Sequence, residues 1–222
     1  MGKMDEIIVV VPREKLFGEN DENKFQGIMK DVDLTANIVE VLDEYSVSMR
    51  RGDAEEDPAY KQVITYAVIA QGEKVFFYKR LLGGGESRLY GKKSIGVGGH
   101  MNAEEGHSFS QSLLENLQRE LDEEIKITTD PVVLKNLIEA GVTDEVQTML
   151  EVGVLGFLND ETDEAGVVHL GIVFVINLNE DTIVTVRETE QLEGEMILIE
   201  DLKKSEHYDS LENWSKIVLE AL

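Results

Sequence analysis

Residues 98–127 read GGHMNAEEGHSFSQSLLENLQRELDEEIKI. From residue 110 onward the apolar side chains of this stretch recur at helical spacing. On a helical wheel they fall within an arc of about 80°, and they are Leu114, Leu117, Leu121 and Ile125. The pattern predicts a helix over residues 109–126 that buries one face against the rest of the protein.

Three carboxylates of this helix, Glu120, Glu123 and Glu124, share a second arc of about 100° beside the apolar face. Like charges at Glu120 and Glu124 cost roughly 0.2–0.5 kcal/mol. Negative charge in a last helical turn costs roughly 0.3–1 kcal/mol. A bound cation such as Mg²⁺, which prefers oxygen ligands, would reverse both penalties. On the wheel alone, a solvated acidic face remains the alternative, because 45 of the 222 residues are acidic.

Short apolar runs flank the helix on both sides and predict strands. They lie at residues 62–70 and 74–81, joined at Gln71–Gly72, and at 94–99, 147–158, 167–178 and 195–199. Strands and helices therefore alternate irregularly around one central helix. This order predicts an α/β fold with a mixed sheet covered by helices.

The helix and the glycine pair before it also fit a known motif. Residues 119–127 read RELDEEIKI, which matches R-E-U-x-E-E with U aliphatic, and Gly99 precedes Glu105 by five intervening residues. In these residues the chain resembles the Nudix box, G-x5-E-x7-R-E-U-x-E-E-x-G-U, of the MutT-like Nudix hydrolase family. The resemblance spans roughly residues 61–200, with the specific motif confined to 98–127. It implies a Nudix-like α/β/α sandwich with the box helix packed on a mixed sheet.

The chain departs from the box at two places. Thirteen residues separate Glu105 from Arg119 where the family has seven, so the loop before the helix is six residues longer. Counting back eight from Arg119 reaches Gln111, which is not acidic. Lys126 stands where the family has glycine. The sequence therefore leaves open whether Glu104 or Glu105 reaches the site.

The resemblance implies hydrolysis of a diphosphate linkage in a nucleoside diphosphate-type substrate. It assigns Glu120, Glu123 and Glu124 as ligands of Mg²⁺ or Mn²⁺, joined by Glu105 and by the backbone carbonyl of Gly99. Arg119 resembles the arginine that holds a box glutamate in place, and the metal would activate the attacking water. The general base is a box glutamate or one from the loop 187–194, whose candidates are Glu188, Glu190 and Glu193.

The net charge of −24 excludes several classes of partner. Nucleic acids and anionic membranes are disfavoured by repulsion. The start of the chain lacks a long apolar segment, so we expect a cytoplasmic protein. Residues 50–93 nevertheless hold nine basic and six acidic residues. From this window we expect contacts to substrate phosphates from Lys79, Arg80 or Arg88, with ordinary surface charge as the alternative.

Other parts of the chain carry weaker signals. We divide it into an N-terminal extension, 1–58, with a strand, a helix capped by Asp33 or Thr35, and a charged loop over 49–58, and a Nudix domain, 59–222. The extension serves either as a dimerisation element, giving a homodimer, or as a lid. The four histidines form no pair at helical spacing, and we expect them on the surface or in loops: His100, His107, His169 and His207.

Two other functions compete with hydrolysis. An enzyme like isopentenyl-diphosphate isomerase needs a catalytic cysteine, and the chain has none. A nucleotide-sensing module with the same fold and weak or no turnover is the second alternative. Such modules often lose box glutamates, whereas this chain keeps all three on the helix.

Overall fold

The computed structural model describes residues 2–81, 92–104, 106–129, 132–133, 150–180, 182–187, 189, 192–204 and 206–222. Within these ranges the helices are α1 (Arg13–Phe17), α2 (Val32–Tyr45), α3 (Arg51–Ala54), α4 (Phe109–Glu124), α5 (Glu164–Val167), α6 (Ile199–Lys203), α7 (Glu206–Ser210) and α8 (Asn213–Ala221).

The strands in the same ranges are β1 (Ile7–Pro12), β2 (Gly27–Met29), β3 (Val47–Arg50), β4 (Tyr60–Gln71), β5 (Lys74–Arg80), β6 (Lys93–Ser94), β7 (Gly96–Val97), β8 (Ile125–Thr129), β9 (Val132–Val133), β10 (Leu150–Asn159), β11 (His169–Leu178), β12 (Thr182–Val186) and β13 (Leu192–Leu198).

Ten of these strands form one large sheet with the order β13-β5-β4-β11-β10-β2, joined by β1, β3, β6 and β7 beside this path. The second sheet that the described residues form has the order β12-β8-β9. The α/β fold class predicted from the sequence is therefore confirmed. The predicted turn between β4 and β5 is also confirmed, because Gly72 has a φ of 58°, which suits glycine.

The chain forms two compact units, each made of three segments. The first contains residues 1–66, 99–116 and 154–173, and there β1 pairs antiparallel with both β3 and β4. The second contains residues 67–98, 117–153 and 174–222, and there β13 pairs with β5 and β12 with β8. The division into an extension, 1–58, and a Nudix domain, 59–222, stays a prediction.

Three local expectations were wrong. Helix α2 is capped by Asp31, whose carboxylate accepts hydrogen bonds from two backbone N–H groups of the first turn, and not by Asp33 or Thr35. The stretch predicted as a loop over 49–58 contains the end of β3 and helix α3. Leu114 was expected in the core but is 50% exposed, whereas the other three residues of its stripe are buried.

None of the helices that the structure describes combines the length and the apolar character that a membrane crossing requires.

Candidate functional site

Helix α4 begins with a reciprocal pair of hydrogen bonds between Ser108 and Gln111. The Ser108 N–H donates to Gln111 Oε1 over 3.0 Å, and the Gln111 N–H donates to Ser108 Oγ over 3.3 Å. This is a capping box, which satisfies backbone donors that a helix start leaves without partners. Gln111, at the position where counting back from Arg119 seeks a glutamate, therefore serves to start the helix.

Glu104 lies just before this cap in a small surface cluster. His107 Nδ1 is 3.6 Å from a Glu104 carboxylate oxygen and 2.9 Å from one of Glu115. The Glu104 side chain is exposed. Glu105 lies outside the described residues, so its expected role as a ligand stays a prediction.

Asn116 fixes the middle of the helix against its neighbours. Its side chain is buried, donates from Nδ2 to Thr65 Oγ1 over 2.9 Å, and accepts from the Asn102 N–H over 3.4 Å. Asn116 lies on the same helical face as the box glutamates, one turn before Glu120. Sequence reasoning missed this residue, although a polar side chain beside a predicted core stripe is a usable signal for such an anchor.

The two glycines of the pair before α4, Gly98 and Gly99, differ in backbone conformation and hydrogen bonding. Gly98 has a φ of 154°, a conformation that favours glycine. The Gly99 carbonyl accepts a hydrogen bond of 3.0 Å from the Thr65 N–H and a second of 3.4 Å from the Thr65 hydroxyl. The expected contact of this carbonyl with a metal stays a prediction.

The carboxylates at the end of α4 differ in environment. Glu120 is buried and lies 2.6 Å from Nη2 of Arg119. The same guanidinium reaches Glu123, whose side chain is 58% exposed, over 3.4 Å. Glu124 is half-buried, and its Oε2 atom is fully buried. Arg119 therefore bridges two of the three glutamates on the helix, and its role in the site stays a prediction.

Arg187 closes the carboxyl end of α4. Its N–H donates to the Glu124 carbonyl over 2.9 Å, and its Nε donates to the Ile125 carbonyl over 2.7 Å. A cation is favourable at this end of a helix. The chain continues from Glu124 directly into β8, where Lys126 pairs with Thr185. This termination explains how Lys126 can replace the family's glycine.

The donor set fits a hard divalent ion. Three carboxylates on adjacent turns supply oxygen ligands, which Mg²⁺ and Mn²⁺ prefer. The buried oxygen of Glu124 is the type of atom that gains most from a cation, because burial removes its hydration.

The other residues predicted to contact phosphates or to act as the general base lie on other elements than α4 or outside the described residues. Lys79 is exposed on β5, where its Cα pairs with that of Glu193 on β13. Glu193, a candidate general base, is therefore exposed in a strand and not in a loop. The backbone of Arg80 pairs with Leu192. The remaining candidates lie outside the described residues: Arg88, Glu188 and Glu190.

Part of the basic window 50–93 is neutralised by acidic partners. Arg50 lies 2.8 Å from Asp5, and Arg51 lies 3.4 Å from Glu6. These pairs tie α3 and the end of β3 to the N-terminal segment. Their charge is therefore shared with carboxylates of this chain, which reduces what the window offers to a substrate.

Lys61, in the same window, is 0% exposed and belongs to a buried charge network. Its Nζ lies 2.8 Å from Glu161 Oε1 and donates to Asn159 Oδ1 over 2.8 Å. Burial lowers the pKa of Lys61 to about 8, although the hydrogen bond with Glu161 opposes this shift. Burial raises the pKa of Glu161, but hydrogen bonds from Arg13 and Lys61 outweigh it and lower that pKa to about 2.

Two of the four histidines are not isolated surface residues. Nε2 of His100 lies 3.1 Å from Nε2 of His169, and the second of these residues is buried. They are 69 positions apart in the chain; His169 begins β11, and His100 forms an isolated antiparallel bridge with Ile64. The search for pairs at helical spacing could not detect them, because only the tertiary fold brings them together.

Comparison with known proteins places the chain among related sequences and structures. No family model matches it. It is 42% identical over 223 residues to Protein YmaB of Bacillus subtilis (strain 168), with all of both chains covered. It is similar to Tm1382, a protein described as a candidate Nudix hydrolase, with 29% identity, 97% of each chain covered and a TM-score of 0.71. DR0079 of Deinococcus radiodurans is 16% identical, with 80% of this chain and 92% of that one covered and a TM-score of 0.47.

Proposed function

Since the chain belongs to the Nudix family, we propose that it hydrolyses a diphosphate linkage in a nucleoside diphosphate-type substrate, with Mg²⁺ or Mn²⁺ as cofactor. Three residues at the end of α4 would hold the metal: Glu120, Glu123 and Glu124. The observation that carries the proposal is the pairing of Glu120 and Glu123 with one guanidinium, that of Arg119, next to the buried Oε2 atom of Glu124. A bound divalent ion would stabilise charge on the diphosphate oxygens and make a water more acidic.

The residues of the chain have separate tasks in this proposal. Arg119 holds Glu120 and Glu123 side by side, so that their oxygens do not move apart through mutual repulsion. Arg187 fixes the carbonyls at the helix end and thereby the backbone that carries Glu124. Asn116 holds the preceding turn of the same face. These contacts preorganise the carboxylates before a metal or a substrate binds.

The substrate class is tested with a panel in the presence of Mg²⁺. It includes nucleoside triphosphates, dinucleoside polyphosphates, ADP-ribose, nucleotide sugars and NADH, with product release measured for each. Glu124→Gln removes one charge and keeps the side-chain shape. We expect at least about a 100-fold lower kcat, since removing groups that merely support metal ligands already costs 10–100-fold.

Glu115→Gln is the matched control, because Glu115 is a carboxylate of the same helix that lies on the face opposite the box glutamates and contacts His107. We expect it to retain activity. Binding of a panel compound without any cleavage by the parent protein would contradict hydrolysis and favour a nucleotide-sensing module. Cleavage by Glu124→Gln at the parental rate would contradict the assignment of the ligands.

A further inference from the structure

Glu55, His100 and His169 form a cluster separate in sequence from the box glutamates. Each offers one ligand atom, and these atoms lie within 4.8 Å of one another. The two imidazole rings meet edge to face, with centroids 5.1 Å apart and an angle of 72°. All three residues belong to the first compact unit. His169 is buried, and the other two side chains are half-buried.

The hydrogen bonds around the rings direct lone pairs toward one point. His169 Nδ1 lies 2.6 Å from the Ala165 carbonyl and must donate to it, so its Nε2 carries a lone pair. That lone pair faces His100 Nε2 at 3.1 Å, and Gln62 Oε1 faces the same nitrogen at 2.8 Å. Without a cation, His169 Nε2 and Gln62 Oε1 share a single proton on His100 Nε2. A bound metal would instead accept a lone pair from each of these three atoms.

The spacing of the two nitrogens suits a metal. Zn–N bonds of about 2.0–2.1 Å place two imidazole nitrogens about 3.3–3.4 Å apart at a tetrahedral angle and about 2.9 Å apart at a right angle. The observed 3.1 Å lies between these values. Either geometry therefore needs ring movements of only a few tenths of an ångström. His169 also has the second hydrogen bond, to a backbone carbonyl, that typically orients a metal-binding imidazole.

The backbone that carries these side chains is well fixed. The segment around His100 is bonded to β4 on both sides, through Thr65 N–H to the Gly99 carbonyl and Met101 N–H to the Val63 carbonyl. His169 begins β11, next to Val168, whose carbonyl accepts from the Gln62 N–H. Glu55 follows α3, and its carboxylate lies 3.8 Å from Arg51 Nε. His169 therefore lies in a strand, and the bonds to β4 fix the segment that carries His100, which helps to hold the geometry of these two ligands.

We propose that Glu55, His100 and His169 bind a divalent transition-metal ion such as Zn²⁺, with Gln62 Oε1 as an additional oxygen donor. Two imidazoles and a carboxylate select zinc or iron over Mg²⁺, which prefers oxygen ligands alone. We therefore expect this site to bind Zn²⁺ even in the presence of the Mg²⁺ that the box glutamates bind. It joins α3, the segment after the glycine pair and β11, and we assign it a stabilising role. The proposal does not depend on the hydrolytic function.

The test uses tag-free, metal-stripped full-length protein in excess Mg²⁺, titrated with Zn²⁺ against a chromophoric chelator. We expect one equivalent of Zn²⁺ to bind. Glu55→Gln and His100→Asn should each lower the Zn²⁺ affinity at least about 100-fold, since even indirect support of a ligand is worth 10–100-fold. Circular dichroism checks folding, and Glu55→Gln preserves shape if His100→Asn does not fold. Zn²⁺ should also raise the Tm of the parent but not that of Glu55→Gln.

Two controls separate this site from others. His107→Asn alters the exposed cluster of Glu104, His107 and Glu115, and Glu124→Gln alters the box. Both should bind Zn²⁺ as the parent does. The proposal is overturned if the parent binds no Zn²⁺ in excess Mg²⁺, if Glu55→Gln and His100→Asn bind it as tightly as the parent, or if either control loses it.

Discussion

Replacing Glu161 by glutamine should destabilise the protein strongly, because the carboxylate neutralises a buried lysine. Lys61 is 0% exposed, and its ammonium lies 2.8 Å from Glu161. Arg13 contacts the same carboxylate over 2.7 Å, and Lys24 contacts it over 3.3 Å. Glu161→Gln keeps the size and shape of the side chain but removes its charge. Among the described residues, Glu161 is the only acidic residue that forms an ion pair with Lys61.

The size of the destabilisation follows from the lowered pKa of Glu161. Its pKa falls from 4.5 to about 2, and each unit corresponds to about 1.4 kcal/mol between the two protonation states. The side chain is largely buried, so solvent screening is limited. Loss of the charge should therefore cost roughly 3 kcal/mol, close to the 3–5 kcal/mol typical of a broken buried pair. For a chain of this length, that corresponds to a fall in Tm of about 6–12 °C.

Urea unfolding followed by circular dichroism measures this change. Glu14→Gln is the control, because Glu14 is an exposed carboxylate 3.6 Å from Lys15, and surface pairs of this kind contribute little. If Glu161→Gln unfolds at the same urea concentration as the parent and Glu14→Gln, the description of Lys61 as a buried charge neutralised by Glu161 is refuted.

The same network predicts two pH windows. The folded-state pKa of Glu161 is lowered, so its contribution is present above pH 4.5 and is lost as the pH falls toward 2. The pKa of Lys61 is also lowered, to about 8 from 10.5. Between pH 8 and 10.5, Lys61 binds more protons in the unfolded chain than in the folded protein. Its contribution to the free energy of unfolding therefore increases as the pH rises through this range. In Glu161→Gln that rise should begin below pH 8.

Three further variants test the helix that carries the site. Asn116→Ala should cost about 1–3 kcal/mol in urea unfolding, because it removes the buried hydrogen bond to Thr65; equal stability would show that this contact contributes nothing. Arg187→Ala should lower stability by about 1 kcal/mol through the lost bond to the Ile125 carbonyl, again by urea unfolding, and an unchanged midpoint would contradict its capping role. Arg119→Ala should reduce kcat about tenfold or more while changing Tm little, because it releases two predicted ligands; a large loss of Tm with unchanged kcat would assign it to stability alone.

Much of α4 could be predicted from local periodicity. The stripe containing Leu117, Leu121 and Ile125 is buried, and the helix ends within two residues of the expected position. The burial of Leu114 was predicted wrongly. Helical spacing predicts which side of the helix a residue lies on, but it does not predict how far the neighbouring elements extend along the helix axis. The glutamate face and its arginine were also local features, since all of them lie within six consecutive residues.

Contacts between distant segments could not be predicted in the same way. Lys61 was counted with the basic residues of its window, yet its side chain is 0% exposed and its partner Glu161 is 100 positions away in the chain. His100 and His169 meet across a comparable separation. Charge counts and local spacing carry no information about such pairs, because strand order in the sheet decides which residues become neighbours.

In the proposed reaction, a divalent metal at the end of α4 drives hydrolysis of a diphosphate linkage. The most direct measurement compares cleavage of the best panel substrate by the parent and by Glu124→Gln, each in Mg²⁺ and in EDTA. We predict rapid cleavage only by the parent in Mg²⁺, with at least about a 100-fold loss in the other three conditions. Full activity of the parent in EDTA, or of Glu124→Gln in Mg²⁺, would contradict this proposal.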